Sequence, residues 1–155
     1  MKFYTSYYGN YKNIPTDYFC VGISRYCPDG FMNDDYKNFL FVRNNILAPE
    51  KELLDDMKSG KETEDGYKRR YVEHLLSYFG EGKRYDSFED FINAISENFR
   101  DKYQAIVFLC YEKPTDFCHR HILRNLMNRI FHIPCEELEV VDSSKKQTKT
   151  QTALF

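Results

Sequence analysis

Cys110, Glu112, Cys118, His119, Arg120 and His121 stand together in the stretch from Val107 to His121, and no other part of the chain is so dense in reactive side chains. Their types define what they could do. A thiol becomes a nucleophile or a soft metal ligand once it loses its proton, and an imidazole or carboxylate can move that proton. A guanidinium can anchor a phosphate or carboxylate.

These groups need elements to hold them. Ala105 to Leu109 is an unbroken apolar run of the kind that forms a buried strand, and Ile122 to Phe131 has the helical spacing Ile122, Leu123, Leu126, Met127, Ile130. The sequence therefore predicts a helix over 117–131 and places the reactive residues at a strand-to-helix crossing. In open α/β sheets ligands bind there, because the strand ends leave a crevice and the next helix points unpaired amides into it.

Upstream, Phe3 to Tyr8 and Phe19 to Ser24 read as strands, with a loop from Asn10 to Pro15 and a turn at Cys27-Pro28-Asp29-Gly30. Helices are predicted over Glu50–Ser59, after Pro49 and before Gly60, and over Glu64–Phe79, where Tyr67, Tyr71, Leu75 and Tyr78 share a face. A third begins at Ser87 and buries Phe88, Phe91, Ile92 and Ile95. Leu138 to Val141 reads as an edge strand. The order of elements predicts an α/β fold, a small three-layer domain over 1–141 with a mainly parallel sheet.

Composition narrows the class. The 155 residues are 42% hydrophobic and 17% aromatic, enough for one packed domain, and the net charge of −2 gives no global attraction to nucleic acid or anionic membrane. Five cysteines, an odd number, without a secretion signal predict reduced thiols in a cytoplasmic protein. No apolar run approaches membrane-spanning length. A Gly-rich phosphate loop, a dinucleotide fingerprint and a serine nucleophile elbow are all missing, so those enzyme classes lack support, and no cofactor is indicated.

Three kinds of chemistry fit the dense stretch. In anion recognition, Arg120, His121 and the amides around Cys118 face a phosphate or carboxylate, joined by Tyr4, Ser6, Ser24, Arg25 and Cys110. Against this, Arg120 could simply pair with Glu112 and pin the loop. In nucleophilic catalysis Cys118 attacks, assisted by His119 and Glu112; against this, Cys110 and Cys118 could be small buried hydrophobes. Zinc binding has the right donor types in Cys110, Cys118, His119 and His121, but no Cys-x-x-Cys pair, and adjacent Cys118 and His119 would diverge on a helix. No metal ligand is assigned. His132 reads as a partner for the helix's last carbonyls. Lys68, Arg69 and Arg70 form the best basic cluster, the pattern of a solvated helix face.

Leu109-Cys110-Tyr111-Glu112 followed by Cys118-His119-Arg120 resembles the Cys-x-Glu and Cys-His-Arg signature of the proteins grouped as domain of unknown function 488. Phe3-Tyr4-Thr5-Ser6-Tyr7-Tyr8 and Gly22-Ile23-Ser24-Arg25-Tyr26-Cys27-Pro28 are similar to that family's first two strands. The resemblance covers most of residues 1 to 132, leaving Asn33 to Asn98 without an aligned motif. It implies a compact α/β domain and carries no activity with it.

Asp142 to Thr150 is polar, basic and without apolar periodicity, which predicts a solvated tail over 142–155. It finishes in Gln151-Thr152-Ala153-Leu154-Phe155, similar to the bacterial sliding-clamp-binding motif. Leu154 and Phe155 would be the apolar anchors and Gln151 the hydrogen-bonding residue, unless the tail folds back on the domain. Three functions follow. One is a DNA-metabolism accessory protein, recruited to the clamp, with a pocket for a nucleotide-like or phosphorylated ligand. The others are a non-catalytic binder or sequestering protein for the same anion, and a cysteine- or metal-dependent enzyme of general metabolism.

Overall fold

The computed structural model describes residues 1–31 and 37–138. The strand core is β1 (Lys2–Tyr7), β2 (Tyr18–Gly22), β3 (Phe39–Phe41), β4 (Ala105–Cys110) and β5 (Cys135–Glu137), in the order β3-β2-β4-β1-β5. Every pairing among them is parallel. All six residues of β4 are buried, as its unbroken apolar sequence requires of a central strand covered on both faces. The chain forms a small α/β domain.

Alternation along β4 divides the interior. Ile106, Phe108 and Cys110 face one side with Leu53 of α1 (Lys51–Lys58), Tyr67, Tyr71 and Leu75 of α2 (Glu64–Leu76), Phe88 and Ile92 of α3 (Phe88–Phe99), and Leu123 and Met127 of α4 (His119–Arg129). Val107 and Leu109 face the other side, under Tyr8, Tyr11, Ile14, Phe31 and Phe39. The helices thus form one layer, and the 3-10 segment Tyr8–Asn13 with its aromatic neighbours forms a thin opposite one. Gly22 makes that aromatic layer possible, since a Cβ there would stand 2.7 Å from the Tyr8 hydroxyl.

Local chemistry sets the helix limits. The Thr63 and Ser87 hydroxyls cap α2 and α3 by accepting from the amides of Gly66 and Asp90, at 3.0 and 3.1 Å. Gly60, at φ +78, follows α1. α4 ends where His132 adopts φ +54, and the amides of Phe131 and Ile133 turn back to the carbonyls of Leu126 and Met127.

Several elements differ from expectation. The Asn10–Pro15 loop is largely 3-10 helix, and β3 was not anticipated. α2 stops at Leu76, so Phe79 is free to bridge Tyr85. Among the described residues the last strand is Cys135–Glu137; the strand expected at Leu138–Val141 lies outside them except for Leu138, whose amide donates to the Thr5 carbonyl. Ile130 is exposed, because the helical stripe ends with α4 at Arg129. Residues 142–155, with Gln151, Leu154 and Phe155, lie outside the described residues. No described helix is long and apolar enough to cross a membrane.

Candidate active site

β2 and β4 are neighbours whose chains leave in opposite directions. The chain after β2 brings Phe31 onto the aromatic face and continues to β3 at one edge, whereas the chain after β4 enters α4 on the helical face and continues to β5 at the other. A crevice must open where they part. There the structure has a cavity of about 220 Å³, lined by Ser24 and Arg25 beyond β2, Cys110 and Glu112 at the end of β4, and Cys118 and His119 at the start of α4. Met57, Tyr67 and Phe117 supply apolar wall, and Lys58 also lines it.

His119 is the organising residue. It is buried, and its Nε2 lies 2.8 Å from the carbonyl oxygen of Ile23. A carbonyl can only accept, so Nε2 carries the proton and donates it. In the neutral ring the lone pair on Nδ1 then faces the two thiols, at 3.7 Å from Cys110 Sγ and 3.9 Å from Cys118 Sγ. Ile23 is held in turn by its amide, which donates to Leu109 at 2.9 Å and extends the β2–β4 ladder.

Cys118 and His119 converge because they do not share a helix. Cys118 is the N-cap, with extended φ −154 and ψ 144, and only His119 begins α4. The expected divergence assumed helical geometry for both. Hydrogen bonding from Cys110, with His119 and the Arg120 amide adding to it against the cost of burial, pulls the Cys118 thiol well below the ordinary thiol range. Burial pushes Cys110 the other way, reinforced by Cys118. Burial also raises Glu112, whose Oε2 lies 3.4 Å from Cys110 Sγ.

Of the residues expected at the site, Ser24, Arg25, Cys110, Glu112, Cys118 and His119 share the cavity. Ser24 is fixed there by the Tyr8 hydroxyl at 2.6 Å, and donates to the Tyr26 carbonyl at 2.7 Å. Among the described residues, the buried Nε of Arg25 has no hydrogen-bond partner. The other expected residues lie elsewhere. Tyr4 stacks on Tyr18, and Ser6 accepts from Asn10 at 3.0 Å, both on the aromatic side of the sheet. Arg120 does not line the cavity; it pairs with Glu137 and donates to the Glu112 backbone carbonyl, not to its carboxylate. His121 has both ring nitrogens buried without partners among the described residues, and burial lowers its pKa, with Arg120 acting in the same direction.

Sequence reasoning missed Lys58, Met57 and Phe117. Lys58 ends α1 and carries no local sign of facing a cavity, while Phe117 reads only as the start of a helix. Tyr67 is legible as part of an aromatic helix face that could be core or line the pocket, and in the structure it does both.

No curated protein and no solved structure matches the chain significantly. A family model described as "Active DUF488-N3 subclade" matches residues 4–130, which includes every residue lining the crevice. The match spans well over half of the 155 residues, and the chain belongs to the family of domain of unknown function 488.

Proposed function

We propose that the crevice between β2 and β4 is an active site for a small nucleotide-like or phosphorylated ligand, and that the protein works in DNA metabolism, recruited to a sliding clamp by its C-terminal peptide. The observation that carries the ligand class is Arg25, whose buried Nε has no partner among the described residues and stands beside a cavity with reactive groups on its floor. A buried donor without a partner costs stability unless a ligand completes it. Lys58 adds a second positive charge, and the start of α4 adds amides that favour an anion. The walls formed by Tyr67 and Phe117 suit a flat ring.

Catalysis is favoured over sequestration by what shares the cavity with that anion site. An oriented imidazole, two thiols and a carboxylate are more than recognition of a phosphate needs. The description of the matching subclade as active points the same way. Recruitment rests on the sequence of Gln151, Leu154 and Phe155 at the end of a polar linker, which would hold a protein of net charge −2 near DNA.

Two measurements test the two halves. Titration calorimetry with nucleoside monophosphates and inorganic phosphate should show binding by the wild-type protein, at least tenfold weaker in Arg25→Ala. Equal affinities, or no binding by either, remove the ligand assignment. Fluorescence polarisation against a bacterial sliding clamp should show micromolar binding that vanishes on removal of residues 151–155. Binding that survives the truncation, or none by the full chain, removes the recruitment.

A further inference from the structure

The floor of the crevice has the composition and spacing of a metal site. Cys110 Sγ, Cys118 Sγ and His119 Nδ1 all lie within 4.8 Å of one another, and the three residues are buried. Tetrahedral zinc bonded to sulfur at about 2.3 Å and to nitrogen at about 2.1 Å holds those two atoms about 3.6 Å apart. The observed separations from Nδ1 are 3.7 and 3.9 Å, within tenths of an ångström of that value, and the two sulfurs lie within 4.8 Å of one another.

The imidazole is also oriented as a ligand should be. Its Nε2 proton is committed to the Ile23 carbonyl at 2.8 Å, which leaves Nδ1 as the donor atom and is the outer hydrogen bond that fixes a metal-binding histidine. The supports are rigid. Cys110 ends the central strand, Cys118 is fixed as the cap of α4, and Tyr71 packs on the His119 ring with centroids 5.3 Å apart.

We propose that Cys110, Cys118 and His119 bind a thiophilic divalent cation, zinc, whose fourth coordination position opens towards the cavity beside Glu112. This deepens the reading of the crevice as an active site by naming its cofactor. Three protein ligands and one open position are the arrangement of catalytic zinc, whereas structural zinc is closed by four. Glu112, with Oε2 3.4 Å from Cys110 Sγ, is within reach of hydrogen-bonding a water or ligand oxygen at that position. The remaining cysteines, Cys20, Cys27 and Cys135, stay outside the cluster and serve as internal controls.

The test is zinc titration of the full-length protein, stripped with a chelator under reducing conditions, in competition with a chromophoric chelator. One tight equivalent is expected. Cys118→Ser and His119→Ala should each weaken it at least a hundredfold, and Cys20→Ser should leave it unchanged. Because a variant could misfold, cobalt substitution of the wild-type protein gives a second readout, with a thiolate-to-cobalt charge-transfer band expected at one equivalent. Absence of stoichiometric binding by the wild type, of the cobalt band, or of any effect in a folded Cys118→Ser protein would overturn the proposal. Its failure is separable from that of the ligand reading. Zinc without anion binding sinks only the ligand class, and anion binding without zinc sinks only the metal.

Discussion

Arg120 Nη2 lies 3.0 Å from Glu137 Oε2 and Arg120 Nε lies 3.1 Å from Oε1, joining the first turn of α4 to the edge strand β5 with the arginine side chain wholly buried. Thr5 also donates to Glu137, at 2.6 Å, and Arg124 approaches it at 3.5 Å. The Arg120 guanidinium also stands over the Tyr7 ring, 5.9 Å from its centroid. This fork positions the residue after His119, and with it the start of α4, from the β5 edge of the sheet.

Removing Arg120 leaves the part-buried Glu137 with only the Thr5 hydroxyl and the more distant Arg124 to compensate its charge. Arg120→Ala should therefore cost about 3–5 kcal/mol of folding stability, read from urea unfolding. Arg120→Met combined with Glu137→Leu should recover most of that loss, since neither charge remains. A single substitution that costs under about 1 kcal/mol would mean that Glu137 finds other partners.

How much of this was legible in the sequence depended on how local each signal was. β4 and α4 were readable because their burial is written in their own residues, as an apolar run and as Ile122, Leu123, Leu126 and Met127 at helical spacing. β5 was not. Cys135-Glu136-Glu137 has no strand composition, and it pairs with β1 because Glu137 is held by Arg120 and Thr5, contacts formed only after folding. β3, three residues long, was too short for alternation to show. The site followed the same division. Cys110, Glu112, Cys118 and His119 could be named from proximity in the chain, but their convergence depends on an extended N-cap and on the Ile23 carbonyl, 96 residues away from His119. Tyr4 and Ser6 were misplaced because alternation along β1 sends them to the aromatic face.

Asn128 shows side-chain control of the backbone at the far end of α4. Its Oδ1 accepts from the Cys135 amide at 2.9 Å, and its Nδ2 donates to the Cys135 carbonyl at 2.6 Å, so one side chain acts as a ladder partner for the start of β5. Asn128→Ala leaves both backbone groups to find new partners and should destabilise by about 1–3 kcal/mol. Hydrogen exchange should localise the loss, with the Cys135 amide accelerated and those of β4 protected as before. Uniform acceleration across the sheet would instead assign the effect to global unfolding.

Gly22 links the aromatic layer to the crevice. A Cβ there would stand 2.7 Å from the Tyr8 hydroxyl and 3.0 Å from Phe41 Cδ2, and Tyr8 is tied at 2.6 Å to Ser24, a residue lining the cavity. Gly22→Ala should cost about 1–3 kcal/mol by overpacking. Tyr8→Phe removes the nearest atom, so the cost of Gly22→Ala should be smaller in that background. A double-mutant cycle of thermal unfolding measures the difference, and additivity would show that the tyrosine hydroxyl is not the obstacle.

Cys20 and Cys135 give the protein an alkaline limit. Burial pushes both thiols up to about 12, while an unfolded cysteine titrates near about 8.5. Below the unfolded value both states are protonated and the thiols make no pH-dependent difference. Above it the unfolded chain gives up protons that the native state retains, so stability falls as pH rises and keeps falling until the native thiols ionise. By pH 10 the loss should be roughly 2 kcal/mol for each thiol, at about 1.4 kcal/mol per pH unit. Burial raises the hydroxyls of Tyr67 and Tyr71 as well, which steepens the decline once unfolded tyrosines ionise near about 10. Urea midpoints at pH 8 and pH 10 measure the effect. Cys20→Ala should show a smaller drop between the two than wild type, whatever its stability at pH 8, because alanine has no proton to lose. An equal drop in both would show that Cys20 is not one of the groups setting the limit.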